Sequence, residues 1–204
     1  MLYREFLDAG YTIFDLHGIT ENGACACENP HCQAAGKHPK TKHWQYTQPF
    51  SEEQIEEMEQ DGFFQSGYGV LVTENLLVVD VDARNGGVES YARLVEAVPE
   101  IAGAGLIVET GSGGGSKHLF FKNSASSQAL SGKLDDYPGI DFKSSGFVVG
   151  AGSNHKSGNK YNVLIGSPFD IAPAPDGLLT LLTRPRTVSL SSDIDMELDE
   201  YVDI

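Results

Sequence analysis

The sequence predicts an α+β fold with a mostly antiparallel sheet. Several short apolar runs rich in β-branched residues are separated by tight turns, a pattern typical of strands that pair with their neighbours in the chain. A few segments have helical spacing, but they do not alternate regularly with strands as in a doubly wound parallel fold. With 204 residues, the chain is long enough for one good-sized domain.

The N-terminal third contains two predicted helices around a long loop. Residues 1–9 have helical spacing, and residues 11–16 follow as a strand. Residues 18–41 are rich in Gly, Asn, Cys, His and Lys, so we expect a loop there. Ser51 should begin the second helix, because Gln54 lies in its first turn and nearly completes a capping box.

The rest of the chain reads as strands with three helices, the second of which is a short one predicted over residues 126–134. Residues 67–73 and 76–83 are predicted to form an antiparallel hairpin, since only two residues separate them. Helical spacing predicts helices over residues 87–98, where Pro99 ends the pattern, and over 176–182. Further strands are predicted over residues 106–110, 117–122, 140–143, 147–151 and 161–165.

We expect one domain over residues 1–185, with its core at 67–165. Residues 186–204 should be an acidic tail or linker, because six acidic residues and no basic one lie within 191–204. The net charge of −15 counts against an ordinary nucleic-acid binder, which is usually basic. Lysines nevertheless cluster within residues 37–42, so this acidic chain can still carry a basic groove.

The sequence predicts neither a membrane protein nor a secreted one. No apolar stretch is long enough to cross a bilayer, and the N-terminus does not resemble a signal peptide. The three cysteines are odd in number and clustered, which argues against a disulfide framework. We therefore expect a cytoplasmic protein with no membrane partner.

The clustered cysteines predict a zinc site in the loop over residues 18–41. Cys25, Cys27, Cys32 and His38 offer three thiolates and an imidazole, and soft thiolate ligands select Zn²⁺. His31 competes for the fourth position, but it is adjacent to Cys32, and neighbouring side chains rarely reach one ion. The alternative is a loop with three free thiols, which would invite oxidation. The closed set of four ligands predicts a structural ion.

Two carboxylates at the end of a buried strand are the most informative feature of the sequence. Side chains alternate across a strand, so Asp80 and Asp82 project from the same face of the run Leu76–Val81. Such carboxylates repel each other, and a hard cation such as Mg²⁺ or Mn²⁺ removes that penalty. The alternative is a solvated strand end that leads into a turn at residues 84–87.

A glycine-rich turn is a candidate anion site. Residues 111–115 can offer backbone N–H groups, and Ser116 and His118 add donors on one face of the strand that follows. Lys117 points to the other face unless the backbone is bent. The alternative is a flexible hairpin loop with incidental polar residues.

A third carboxylate lies between apolar neighbours in a later strand. Asp141 needs a partner there, and together with the first two aspartates it would complete a metal site. Lys143 shares its face and can neutralise a phosphate or pair with one of the acids. Taken alone, Asp141 would more simply make a structural hydrogen bond.

The order of these segments is specific. Asp80-Val81-Asp82 is followed by the glycine-rich turn with Ser116-Lys117-His118, then by Ile140-Asp141-Phe142-Lys143, and then by a Ser…His…Tyr segment over residues 153–161. This series resembles the primase–polymerase (Prim-Pol) family of the archaeo-eukaryotic primase superfamily, found in replication proteins of plasmids and phages. The resemblance covers roughly residues 67–161, and residues 36–39 look like the family's N-terminal motif.

The resemblance implies a DNA primase/polymerase, a nucleotidyltransferase that acts on nucleoside triphosphates by a two-metal mechanism. It also implies an RRM-like, mostly antiparallel catalytic sheet beside an N-terminal α/β half, with one shared cleft. Implied partners are single-stranded DNA template and primer, dNTPs or NTPs, and a fused or separate helicase.

The resemblance also implies residue roles. Asp80, Asp82 and Asp141 would bind two catalytic ions, Mg²⁺ or Mn²⁺. A second set would contact the nucleotide: Ser116, Lys117, His118, Lys143, Lys37, Ser153 and His155. Lys143 stands where the family often has arginine and provides a point charge rather than a fork.

Two other functional classes remain open. One is a non-catalytic nucleic-acid-binding replication module that kept the fold, and the intact set of three aspartates argues against it. The other is a sugar-nucleotide transferase with an Asp-x-Asp metal site, and the order of the motifs argues against it.

Overall fold

The computed structural model describes residues 2–27, 29–125 and 130–183. The α-helices are α1 (Leu2–Asp8), α2 (Glu52–Gln60), α3 (Gly87–Ala97) and α4 (Asp176–Thr183). The strands are β1 (Ile13–Asp15), β2 (Tyr68–Leu71), β3 (Leu76–Val81), β4 (Leu106–Glu109), β5 (Lys117–Lys122), β6 (Ile140–Lys143), β7 (Phe147–Val149) and β8 (Asn162–Gly166). The predicted tail at 186–204 lies outside the described residues, and so do residues 126–129 of the short helix predicted over 126–134.

A five-stranded antiparallel sheet forms the centre of the fold. Its strand order is β6-β3-β5-β4-β8, and β3 is buried along almost all of its length. Leu77 and Val79 of β3 pack on one face against the layer that contains α3 and α4. Leu76 and Val78 pack on the other face against the second sheet. Because side chains alternate, Asp80 belongs to the face that looks towards the second sheet.

The second sheet is smaller and covers that face. It has three antiparallel strands in the order β1-β2-β7, and its residues share one apolar cluster with α1 and with the large sheet. Phe120 of β5 lies at the centre of this cluster, where its ring centroid is 5.8 Å from that of Phe6 in α1. The mixed α/β architecture with antiparallel sheets confirms the coarse fold class, while the RRM-like assignment and the predicted domain limits stay predictions.

The predicted hairpin of the strands at 67–73 and 76–83 is wrong. β2 pairs with β1 and β7, whereas β3 pairs with β5 and β6 in the other sheet. Both strands are apolar on both faces and use both edges for other partners, so a two-residue connection does not make them neighbours. The turn at residues 72–75 instead carries the chain from one sheet to the other.

Other local expectations are confirmed. Ser51 caps α2 in a complete capping box with Gln54. β4 and β5 form the antiparallel pair predicted around the glycine-rich turn. Within the part of the chain that the structure describes, no helix is long and apolar enough to cross a membrane.

Phe120 is 0% exposed, so we expect Phe120→Ala to lower the free energy of unfolding by about 3–5 kcal/mol, because the truncation leaves a cavity between the two sheets. Phe169→Ala is the matched control, since Phe169 is 60% exposed and its loss should cost less than about 0.5 kcal/mol. Urea denaturation of both variants measures the difference. Equal losses would contradict the packing described here.

Candidate active site

A cleft of about 760 Å³ lies along one end of β3, β5 and β6. Its lining is unusually rich in charge for a concave surface. The acidic members are Asp80, Asp82, Asp135 and Asp141, and the basic members are Lys37, Arg84, Lys133 and Lys143. Four positive and four negative groups balance, in a chain whose net charge is −15. An anionic ligand therefore meets far less repulsion here than the whole chain would suggest.

Asp80 occupies the centre of a cross-strand row. The strand register places it directly opposite His118 on one side and Asp141 on the other. His118 Nε2 lies 3.4 Å from Asp80 Oδ1, and Lys143 Nζ lies 3.6 Å from Asp80 Oδ2. Burial alone raises the pKa of the Asp80 carboxyl, but the His118 hydrogen bond and the charges of His118, Lys143 and Lys37 outweigh it and hold the pKa at about 2. Asp80 is therefore a carboxylate at neutral pH.

Asp82 lies just beyond the end of β3 and is held by the following turn. Its carboxylate accepts hydrogen bonds from the Arg84 backbone N–H, the Arg84 guanidinium and Asn85 Nδ2, at 2.8 to 3.1 Å. The side-chain hydrogen bond with Arg84 is the main reason that the pKa of Asp82 is lowered. Asp82 is thus ionised too, with its oxygens occupied by neighbours in the sequence.

Two glycines allow the backbone to fix the position of Asp82. The Asp82 N–H donates to Gly139 O, and Gly87 N–H donates to Asp82 O. A Cβ at Gly87 would lie 2.6 Å from Asp82 O, and one at Gly139 would lie 2.5 Å from Asn85 O. Gly139 also has a φ of +78°, which side chains strongly disfavour. This contact joins the turn after β3 to the start of β6.

Asp141 is paired with two lysines. Lys133 Nζ lies 3.2 Å from Asp141 Oδ1, and Lys143 Nζ lies 3.9 Å from Asp141 Oδ2. Lys143 therefore lies between Asp80 and Asp141, on the face that both share. The predicted placement of Lys143 beside Asp141 holds in the structure.

The glycine-rich turn borders the same cleft. Gly113, Gly114 and Gly115 all have positive φ values, so this path of the backbone depends on glycine. Ser112 and Ser116 line the cleft. Ser116 Oγ accepts a hydrogen bond from Ala83 N–H, which leaves the hydroxyl proton available to another acceptor.

Two buried polar atoms near the cleft have no hydrogen-bond partner among the described residues. They are His118 Nδ1 and Thr110 Oγ1. Burying such atoms without a partner is costly, so native proteins usually supply one. Both residues line the cleft, which makes a ligand or water in the cleft the natural partner.

Three residues predicted to contact a nucleotide lie elsewhere. Lys117 Nζ is 3.7 Å from the ring centroid of Tyr91, on the helix-covered face of the large sheet. Ser153 is buried, and its Oγ accepts from Tyr68 N–H. His155 is buried and bonds to Ser157 through Nδ1, so none of the three lines the cleft. Strand alternation predicted the direction of Lys117, whereas the motif positions of Ser153 and His155 did not reveal which way those side chains point.

Other cleft residues were missed by the sequence analysis. Arg84 was assigned only to a turn, and Lys133 lies in a loop without a recognisable motif. Tyr161 ended a motif but received no role, although it lines the cleft. Burial and the charge of Asp80 raise the pKa of Tyr161, so it is a neutral phenol at physiological pH.

The three aspartates supply the hard oxygen donors that Mg²⁺ and Mn²⁺ prefer, and all three line one cleft. The carboxylate oxygens of these aspartates are not close enough to one another to form a compact ligand set. Among the described residues, the one compact group of metal-binding atoms is the cysteine and histidine cluster. Each of the three carboxylates instead pairs with a basic side chain. The donor chemistry and placement fit a divalent ion, provided that these partners yield to it.

The compact group is the one predicted for zinc. The ligand atoms of Cys25, Cys27, Cys32 and His38 lie within 4.8 Å of one another. His38 Nδ1 is 3.7 Å from Cys25 Sγ and 3.6 Å from Cys32 Sγ. Tetrahedral Zn–S and Zn–N bonds imply an S···N separation of about 3.6 Å. The separations of His38 from Cys25 and Cys32 match that value, and the cluster could hold a zinc ion.

The backbone connects this cluster to the cleft. His17 N–H donates to His38 O at 2.8 Å, so the cluster is tied to the chain that leaves β1. Lys37 precedes His38 and lines the cleft, while the nucleotide contact that the resemblance implies for it stays a prediction. The competing ligand His31 is exposed, and its backbone N–H bonds to Asn29.

We expect the purified chain to contain about one equivalent of zinc by atomic absorption. His38→Ala should lose most of the metal and lower the melting temperature, because a structural ion contributes directly to folding. His31→Ala is the matched control and should keep both. Less than a tenth of an equivalent in the unaltered chain would exclude the site.

Comparison with known proteins agrees with the motif order. A family model described as Prim-Pol, the N-terminal domain of bifunctional DNA primase/polymerase, matches residues 4–177. No curated protein sequence gives a significant match to the chain. The matched span contains the eight strands that the structure describes and the entire cleft lining. The chain therefore belongs to the Prim-Pol family of bifunctional DNA primase/polymerase N-terminal domains.

Proposed function

We propose that this chain is a template-dependent nucleotidyltransferase that joins nucleotides to a primer end in the DNA replication of a phage or plasmid. The observation that carries the proposal is the register of Asp80 with both His118 and Asp141. It gathers two carboxylates, an imidazole and Lys143 at one point of a charge-balanced cleft. Family membership supplies the class of reaction.

In this reaction the primer 3′-oxygen attacks the α-phosphorus of a nucleoside triphosphate. A new P–O bond forms, the bond to the β-phosphate oxygen breaks, and pyrophosphate leaves. Asp80, Asp82 and Asp141 would hold divalent ions, Mg²⁺ or Mn²⁺, which when bound activate the attacking oxygen and stabilise the leaving group. Asp80 and Asp82 are suited to that role because their lowered pKa keeps them ionised.

The basic side chains would then serve the triphosphate. Lys143, Lys133 and Arg84 each pair with an aspartate of the cleft. When a cation takes over that charge, these side chains become available to phosphate oxygens. Ser116 adds a hydroxyl donor at the edge of the glycine-rich turn.

One observation favours the alternative, a non-catalytic nucleic-acid-binding module. Asp82 is fully engaged by Arg84 and Asn85, so it is the carboxylate least ready to bind an ion. A module of this kind would bind DNA without metal-dependent turnover. The activity assay below separates the two functions.

Asp80→Asn should reduce dNTP incorporation on a primed template by about a hundredfold or more, since it removes a metal-binding charge at the centre of the row. Asp61→Asn, an exposed acid at the end of α2, is the control and should retain full activity. Primer extension with Mg²⁺ and with Mn²⁺ measures both. Undiminished extension by Asp80→Asn would reject the catalytic proposal.

Lys143 and Lys117 offer a matched pair on β6 and β5, the two strands that flank β3 in the large sheet. Lys143→Ala should raise the KM for dNTP about tenfold, because a charged hydrogen bond to the triphosphate is lost. Lys117→Ala should leave the KM unchanged, since its ammonium lies on Tyr91. Steady-state primer extension provides both values, and equal effects would contradict the assignment of the cleft face.

A further inference from the structure

Residues 29–51 form one of three long stretches of this acidic chain that contain no acid, the others being 110–134 and 142–169. The stretch contains three lysines and three histidines, whereas a segment of its length would hold about three acids at the chain's average. It begins inside the metal loop and continues to the N-cap of α2. This segment, called the basic segment below, is therefore a local reversal of charge.

The basic segment borders a second cavity of about 530 Å³. Its lining includes His17, Lys40, Lys42, His43 and Trp44. The second cavity lies next to the active-site cleft. Lys37 lines the cleft, and the following residue, His38, lines the second cavity. An extended polymer that leaves the cleft past Lys37 would therefore enter the second cavity next.

The charges along the basic segment are not all equivalent. Lys40 Nζ lies 2.6 Å from the buried Asp15 Oδ2, so its charge is used within the protein and holds the segment on β1. Lys37 and Lys42 form no ion pair with any residue that the structure describes. Both are exposed, so two positive charges on either side of His38 remain available to an anion.

Aromatic rings continue the same surface. Tyr46 is 71% exposed, and its ring centroid is 6.4 Å from that of His43, which lines the cavity. Trp44 stacks on Phe14 with centroids 5.1 Å apart, which anchors the short helix Trp44–Tyr46 to the small sheet. The exposed rings are thus presented by a rigid support.

We propose that the basic segment binds single-stranded DNA that extends out of the active-site cleft, with phosphates near Lys37 and Lys42 and a base stacked on Tyr46. Cations interleaved with exposed aromatic rings are the chemistry that holds unpaired nucleotides, because each base has a face that can stack. A free phosphate or a nucleotide would use the lysines but would not need Tyr46. The inference rests on the proposed function for its choice of DNA strand.

The test measures binding of a fluorescein-labelled oligothymidylate of about 16 nucleotides by fluorescence anisotropy over a range of salt concentrations. Tyr46→Ala should weaken binding roughly tenfold, and Lys42→Ala should reduce the salt slope by about one. Phe169→Ala and Lys122→Ala are the matched controls. Phe169 is another exposed ring on a 3₁₀ helix, and Lys122 is an exposed lysine at the end of β5 away from His118.

The outcomes separate this inference from the proposed function. Zinc content and circular dichroism establish that each variant is folded. Weaker binding by Tyr46→Ala and Lys42→Ala, with both controls unchanged, supports the inference even if Asp80→Asn retains activity. No binding by the unaltered chain at low salt, or equal binding by all four variants, overturns it. The inference is also overturned if Tyr46→Ala lowers the affinity for a duplex probe as much as the affinity for the single strand, because paired bases are not free to stack on Tyr46.

Discussion

The pairing of opposite charges across three central strands is the constraint on which the site depends. Asp80 lies on a face of the large sheet that is otherwise apolar around β3, where an unpaired carboxylate would be very unfavourable. Lys143 of β6 compensates that charge, and His118 of β5 places Nε2 3.4 Å from the carboxylate. Their positions follow from the strand register, so the sheet itself assembles the site before any ligand arrives.

The same arrangement explains why the cleft can receive an anion in an acidic protein. Asp80, Asp82 and Asp141 each already have a basic partner, and four basic side chains match the four acids of the lining, so the cleft carries little net charge. A divalent ion would replace those partners and release them towards phosphate groups. The close backbone contact between Gly87 and Gly139 keeps Asp82 in place while its side-chain partners change.

Local patterns in the sequence predicted most strands and helices, the capping box of α2 and the four ligands of the metal cluster. These features depend on residues close together in the chain, so spacing and alternation reveal them. The motifs also predicted correctly that Asp80, Asp141 and Lys143 lie close together. All three are on regular strands, where alternation shows which face each side chain occupies.

Features that depend on long-range packing could not be predicted in this way. The pairing of β2 with β7 instead of β3 reflects which apolar faces meet, and a single sequence does not show this. Arg84 and Lys133 reach the cleft from irregular segments, where no periodicity gives the side-chain direction. Lys117 lies on a regular strand, and strand alternation correctly predicted that its side chain points away from the cleft. The family motif, in contrast, implied that Lys117 contacts the nucleotide.

The interleaving of the two sheets has a consequence for synthesis of the protein on the ribosome. The small sheet takes β1 and β2 from the first half of the chain, but its third strand, β7, ends only at Val149. Until that residue emerges, one edge of β2 is unpaired and can associate with other nascent chains. The four residues of the Cys and His cluster, by contrast, all lie within residues 25–38 and can come together early in synthesis. A metal ion bound there would order the first part of the polypeptide before β7 has been synthesised.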